Sequence, residues 1–209
     1  DPLTDAKIQR FEKHFGPVTE AIHYKHVAFF KMNFLPFLHM GPTDKDRVLE
    51  QQLLKMAETS KESTVRIILS HNSMAESMLN RHIKLLRTLK PQYAFSAHTH
   101  HSGFIQHSLS KLTAMYRGIY KNENREMKDL TAGEEGFVTE EYRIPTCSYR
   151  MGVQHMAYAA AVIDPDGKIH FTLLVLPSRF KQLYRYAMFG VLMSIVLVWK
   201  ILTSTRWRR

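Results

Sequence analysis

Cysteine is almost absent. The 209-residue chain has only Cys147, so it forms no internal disulfide and builds no cysteine-based metal centre. A single thiol is compatible with cytosol or lumen. No Asn-x-Ser/Thr acceptor for glycosylation occurs anywhere. Acidic residues are also in short supply, with 19 against 29 basic ones, for a formal charge of +10. What the chain lacks is a basic stripe interleaved with aromatic residues. Its cations cluster beside a C-terminal apolar segment (Arg179, Lys181, Arg185, then Lys200, Arg206, Arg208, Arg209). That placement points to membrane flanks and away from a duplex-binding surface, so no nucleic-acid partner is expected. The abundant Phe, Met and Leu are ample for a core, which excludes a disordered chain.

The richest chemistry lies in Tyr93-Ala94-Phe95-Ser96-Ala97-His98-Thr99-His100-His101. An apolar strand runs into small residues and then into three imidazoles. Alternate residues of a strand face opposite ways, so His98 and His100 can share one target only where the strand has ended. A second apolar run, Val65 to Leu69, likewise ends in Ser70-His71. Neutral imidazole is the commonest protein ligand of first-row metals. Strands that deliver it at their carboxyl ends form the usual α/β site.

Taken in order, Thr4 to Phe15 reads as a capped amphipathic helix stopped by Gly16-Pro17. His23 to Met32 holds a strand, with His23 and His26 on the surface. Pro36 to Pro42 interrupts regular structure, and Thr43-x-x-Asp46 opens a helix to about Thr59. The strand Thr64 to Leu69, a helix from Ala75 to Leu89 and the strand before His98 make a βαβ-like unit. His82 falls on or beside that helix's apolar stripe, in a structural role. Gln106 to Tyr120 reads as a short helix or an irregular segment, and Tyr120 to Gly136 as an exposed loop. Glu141 to Arg150 is a strand entering a turn. His155 to Ile163 and Lys168 to Leu176 form a hairpin around Asp164-Pro165-Asp166-Gly167, closing a second sheet. Tyr186 to Trp199 is uncharged and continues through Ile201-Leu202, long enough to cross a bilayer if Lys200 reaches the headgroups. Tyr184, Tyr186 and Trp199 occupy belt positions. Both flanks are basic, and the Arg206-Trp207-Arg208-Arg209 tail favours a cytosolic C-terminus.

Ile-Leu-Ser-His71 and Ala97-His98-Thr99-His100 resemble the second half of a calcineurin-like metallophosphoesterase, with Ala97 in place of the usual glycine. With Ile-Pro-Thr-Cys-Ser-Tyr-Arg (144–150), the closing hairpin, the apolar helix and Phe11-Glu12-Lys13-His14-Phe15-Gly16, the order resembles the family of metallophosphoesterases that remodel glycosylphosphatidylinositol (GPI) anchors. Pro145, Ser148 and Arg150 match that family's pattern, while Tyr149 and Cys147 depart from it.

The resemblance implies the C-terminal part of an α/β/β/α sandwich over residues 1–178, a membrane helix over 184–203 and a basic tail over 204–209. It implies two divalent ions, manganese in this family, with His71 and His98 on one and His100 on the other. His101 points away. The implied activity is removal of ethanolamine phosphate from a mannose of the GPI glycan, which permits transport of GPI-anchored proteins from the endoplasmic reticulum to the Golgi. The partners would be the bilayer and a GPI glycolipid or GPI-anchored protein, with the catalytic domain in the lumen. The family's bridging carboxylate, its Asp-x-His pair and its proton-donating Asn-His do not occur ahead of His71. The chain is therefore expected to be the C-terminal portion of a longer enzyme, with no catalytic acid or base of its own and no activity alone. The alternative is a non-catalytic membrane scaffold that binds GPI-linked cargo or a partner.

Overall fold

The computed structural model describes residues 4–34, 44–76, 79–108, 113–116, 128–130 and 138–206. Helix α1 (Asp5–Phe15) begins where the Thr4 hydroxyl accepts a hydrogen bond from the Lys7 amide and ends at Gly16, whose φ of 72° is open to glycine. The strand expected within 23–32 is present as Val27–Met32, and the residues before it belong to a second strand paired with it. Strands β1 (Glu20–Tyr24) and β2 (Val27–Met32) pair antiparallel across the two-residue turn Lys25-His26. Lys25 takes φ 51° to make that turn, without the glycine or asparagine that would advertise it.

The chain then alternates helix and strand: α2 (Asp44–Thr59), β3 (Val65–Ser70), a 3-10 turn (Met74–Glu76), α3 (Leu79–Leu89) and β4 (Tyr93–Ser96). Of the expected helix from Ala75 to Leu89, Leu79–Leu89 is α-helical and its start falls in the 3-10 turn Met74–Glu76, while residues 77–78 lie outside the described ones. The Pro36 to Pro42 interruption, Thr43 and the side chain of His82 lie outside the described residues. Strands β2, β3 and β4 run parallel, as short crossover helices require.

Beyond the histidines, the described parts of the segment read as helical or irregular are strands, and residues 109–112 and 117–120 lie outside the described ones. Strand β5 (Gly103–Ser108) pairs antiparallel with β6 (Thr113–Tyr116). Met115 and Tyr116, two of the residues at helical spacing, lie on β6, and on β5 Ile105 and His107 are buried two residues apart, as a strand demands; Leu109 and Leu112 lie outside the described residues. Most of the loop expected over 120–136 lies outside the described residues, but three of its positions form β7 (Lys128–Leu130). Strand β8 (Val138–Arg143) inserts between β4 and β5. The Asp-Pro-Asp-Gly hairpin forms as expected, joining β9 (Ala157–Ile163) to β10 (Ile169–Val175).

Two sheets result, one of seven strands in the order β1-β2-β3-β4-β8-β5-β6 and one of three in the order β7-β10-β9. Alternation along the central strands sorts their side chains to two cores. Ala28, Phe30, Ile68 and Ala94 meet Leu53 and Met56 of α2 and Leu85, Leu86 and Leu89 of α3. Val27, Val65, Ile67, Tyr93 and Tyr142 meet Ile169, Phe171 and Leu173 of the small sheet. The described chain is therefore α/β, with a mostly parallel central sheet covered by helices on one face and by a second sheet on the other. The last element, α4 (Arg179–Arg206), has no buried residue among those described. Over Arg179–Ser204 it is long and apolar enough to cross a membrane.

Candidate functional site

Parallel pairing of β3 with β4 puts Leu69 opposite Phe95, so both strands end at one edge of the sheet. Past that edge the chain turns. The Ala97 amide donates to the carbonyl of His71 at 3.0 Å, which ties the two exits together. The next residues alternate into left-handed backbone, with His98 at φ 59° and His100 at φ 62°. Histidine enters this region more readily than most residues, and strain of this kind collects at functional sites. Ala97 is not among the positive-φ positions, so alanine serves there without backbone strain.

Two of the three expected ligands come together. His98 Nδ1 lies 3.1 Å from His71 Nε2, with the rings edge to face and their centroids 5.1 Å apart. Two nitrogens bound about 2.1 Å from one ion, at right-angled to tetrahedral openings, stand roughly 3.0–3.4 Å apart. The separation therefore fits shared coordination, and imidazole suits manganese or zinc in kind. The fit is partial. Among the described residues no group of three histidine, cysteine or carboxylate side chains surrounds a common point. His100 follows on the same turn and its carbonyl accepts the Thr146 amide at 3.3 Å, while His101 is exposed.

The segment 144–150 braces the turn. The Ile144 amide donates to Ser96 and the Thr146 amide to His100, at 2.7 and 3.3 Å. The Ser148 amide then donates to the Thr146 hydroxyl, and the Ser148 hydroxyl accepts from the Arg150 amide. Arg179, at the start of α4, donates to the Tyr149 carbonyl at 2.6 Å. A short run of hydrogen bonds thus joins the histidine turn to the root of the apolar helix.

Beneath the histidines lies a feature that sequence reading missed. Glu141 on β8 is fully buried, and its carboxylate accepts from His107 Nε2 at 2.6 Å and from the Ser96 hydroxyl. The Ser73 hydroxyl also bonds to it. Ser73 stands two residues after His71, and Ser96 two before His98. One carboxylate therefore holds the roots of both histidine turns. Burial alone would raise its pKa. The hydrogen bond and charge of His107, with the two hydroxyls, outweigh that and hold it below the ordinary glutamate value. No local sequence pattern sets Glu141 apart from Glu140 beside it, so the sequence carried no signal for it.

On the opposite face, burial and then the charge of Glu140 push the Tyr93 phenol up to about 12, so it stays protonated. His23 is exposed and bonds to the Ser60 hydroxyl at 2.9 Å, far from a ligand role. Comparison of this chain with family models, with curated proteins and with solved structures returned no match.

Proposed function

We propose that the chain forms the histidine-bearing half of a metal-dependent phosphoester hydrolase anchored in a membrane. The observation that carries this reading is the 3.1 Å approach of His71 Nε2 and His98 Nδ1 at the carboxyl ends of adjacent parallel strands. Manganese bound there, with a second ion, would polarise phosphoryl oxygens and lower the pKa of an attacking water. His71 and His98 would hold one ion and His100 the other. Their backbones support the pairing: the left-handed turn sets where the His98 side chain leaves the chain, and the bond from the Ala97 amide to the His71 carbonyl holds the two strand exits together. The remaining ligands would come from water, substrate or residues outside the described ones.

The substrate class follows from the resemblance and from the site's nearness to α4. A headgroup phosphodiester carried on a membrane glycolipid suits an enzyme whose site is braced against the root of an apolar helix. We assign it to ethanolamine phosphate on a GPI mannose, in the early secretory pathway, with the α/β domain in the lumen. The absence of a carboxylate beside the histidine pair among the described residues favours the alternative, a scaffold that binds GPI-linked cargo without cleaving it.

Manganese binding to the full chain in detergent, followed by electron paramagnetic resonance, tests the reading. The wild type should bind the ion, and the His71→Ala/His98→Ala variant should lose most of that binding. Equal binding by both would refute the site. Binding without hydrolysis of a model phosphodiester, even after an N-terminal extension supplies carboxylate ligands, would select the scaffold.

A further inference from the structure

We infer that the cavity between the first two turns of α4 and the segment ahead of β9 holds the phosphate of an anionic phospholipid headgroup. This rests on α4 crossing the membrane and is independent of the metal reading. The cavity has a volume of about 360 Å³. Ser178, Lys181, Gln182 and Arg185 line it from one side, and Gln154 and His155 from the α/β domain. The four α4-side residues are spaced i, i+3, i+4 and i+7, which puts them on one face of a helix. The cavity is therefore a clamp between the helix and the domain, not a feature of either alone.

Its chemistry has one sign. No carboxylate lines it, and neither Lys181 nor Arg185 is paired with an acid among the described residues. Arginine binds phosphate oxygens through a planar fork, and lysine adds a point charge. The two glutamine amides and the Ser178 hydroxyl supply neutral donors. A choline or ethanolamine group would bring a third cation to a site with no acid to receive it. A serine headgroup carries an ammonium as well, but it brings a carboxylate beside it that pairs with the cations, so its net negative charge offsets that penalty.

Depth agrees with the charge. Arg185 immediately precedes the uncharged run Tyr186 to Trp199. At about 1.5 Å per residue, Lys181 lies roughly 6 Å farther from the bilayer centre. The two cations thus bracket the level where lipid phosphates sit outside the hydrocarbon. A lipid held there touches both α4 and the domain, and so sets the angle at which the domain sits on the membrane. That would fix the height of the histidine turn above the bilayer surface.

The test uses the full chain in nanodiscs of equal phosphatidylcholine and phosphatidylserine, released into native mass spectrometry. The wild type should retain phosphatidylserine selectively. Lys181→Gln/Arg185→Gln should lose roughly tenfold of that retention, while Lys200→Gln, at the other end of the helix, should keep it. Unchanged retention in the double variant would overturn the assignment, as would equal retention of the two lipids. Displacement of the lipid by excess inorganic phosphate would reassign the cavity to a soluble anion and overturn the lipid proposal. Alkaline carbonate washing of membranes separates the two failures. Release of the chain would refute the spanning helix and the clamp with it, whereas a retained chain without lipid selectivity would refute the clamp alone.

Discussion

His107 Nε2 and the Glu141 carboxylate meet at 2.6 Å with both side chains almost wholly excluded from water. Removing one member of such a pair strands the other. Glu141→Ala leaves His107, Ser96 and Ser73 without their acceptor, and is expected to cost about 3–5 kcal/mol in chemical denaturation. Glu141→Gln keeps the volume and one acceptor oxygen and should cost less. Because Ser73 and Ser96 root the turns of His71 and His98, the glutamine variant should also weaken manganese binding, by roughly tenfold. A glutamine variant that is destabilised but binds manganese as tightly as wild type would show that Glu141 supports the fold alone.

The same carboxylate sets an acid limit. Its pKa is held below the ordinary value of 4.5 in the folded chain. A depressed folded pKa contributes stability that is fully present above the unfolded value and is lost as pH falls through the folded one. Stability of the wild type should therefore decline below about pH 4.5, and the Glu141→Gln variant should show a flatter acid limb. Denaturation midpoints measured from pH 6 downward check this, and parallel limbs would contradict the assignment.

The strands bearing the histidines were legible because an apolar run ending in small residues and histidine marks both a strand and its exit. The Asp-Pro-Asp-Gly hairpin was legible because its turn chemistry is local. The β1–β2 hairpin was not, since Lys25 enters left-handed backbone in the company of no turn-forming residue. Strand β5 was obscured by competing helical spacing downstream, which only its pairing with β8 resolves. Glu141 stayed hidden for a different reason. A glutamate reads as surface until three partners, from residues 34 to 68 positions away in sequence, are brought around it. Pairwise satisfaction of a buried charge is a property of the folded sheet, and no local pattern encodes it.

Gly167 offers a test of how the small sheet is seated on the large one. Its φ is 85°, and a Cβ there would stand 2.8 Å from Val65 Cγ2. Val65 is buried at the start of β3, with little room to yield. Gly167→Ala should cost about 1–3 kcal/mol through backbone strain and overpacking together. Trimming the neighbour in Gly167→Ala/Val65→Ala should recover less than the whole, because the backbone strain remains. Full recovery in the double variant would assign the cost to the contact alone.

His98 combines a strained backbone with the proposed ligand role, and two substitutions separate them. Asparagine tolerates left-handed backbone, so His98→Asn should keep the turn at φ near 59° while removing the imidazole. Its stability should fall by less than about 1 kcal/mol, whereas manganese binding should fall sharply. Valine, branched at Cβ, resists this region, so His98→Val should lose about 1–2 kcal/mol of stability in addition to the ligand. If asparagine binds manganese as the wild type does, His98 is no ligand, and the short approach to His71 is a hydrogen bond between imidazoles. If asparagine destabilises as much as valine, the imidazole pair itself holds the turn, and the left-handed backbone follows from that pairing.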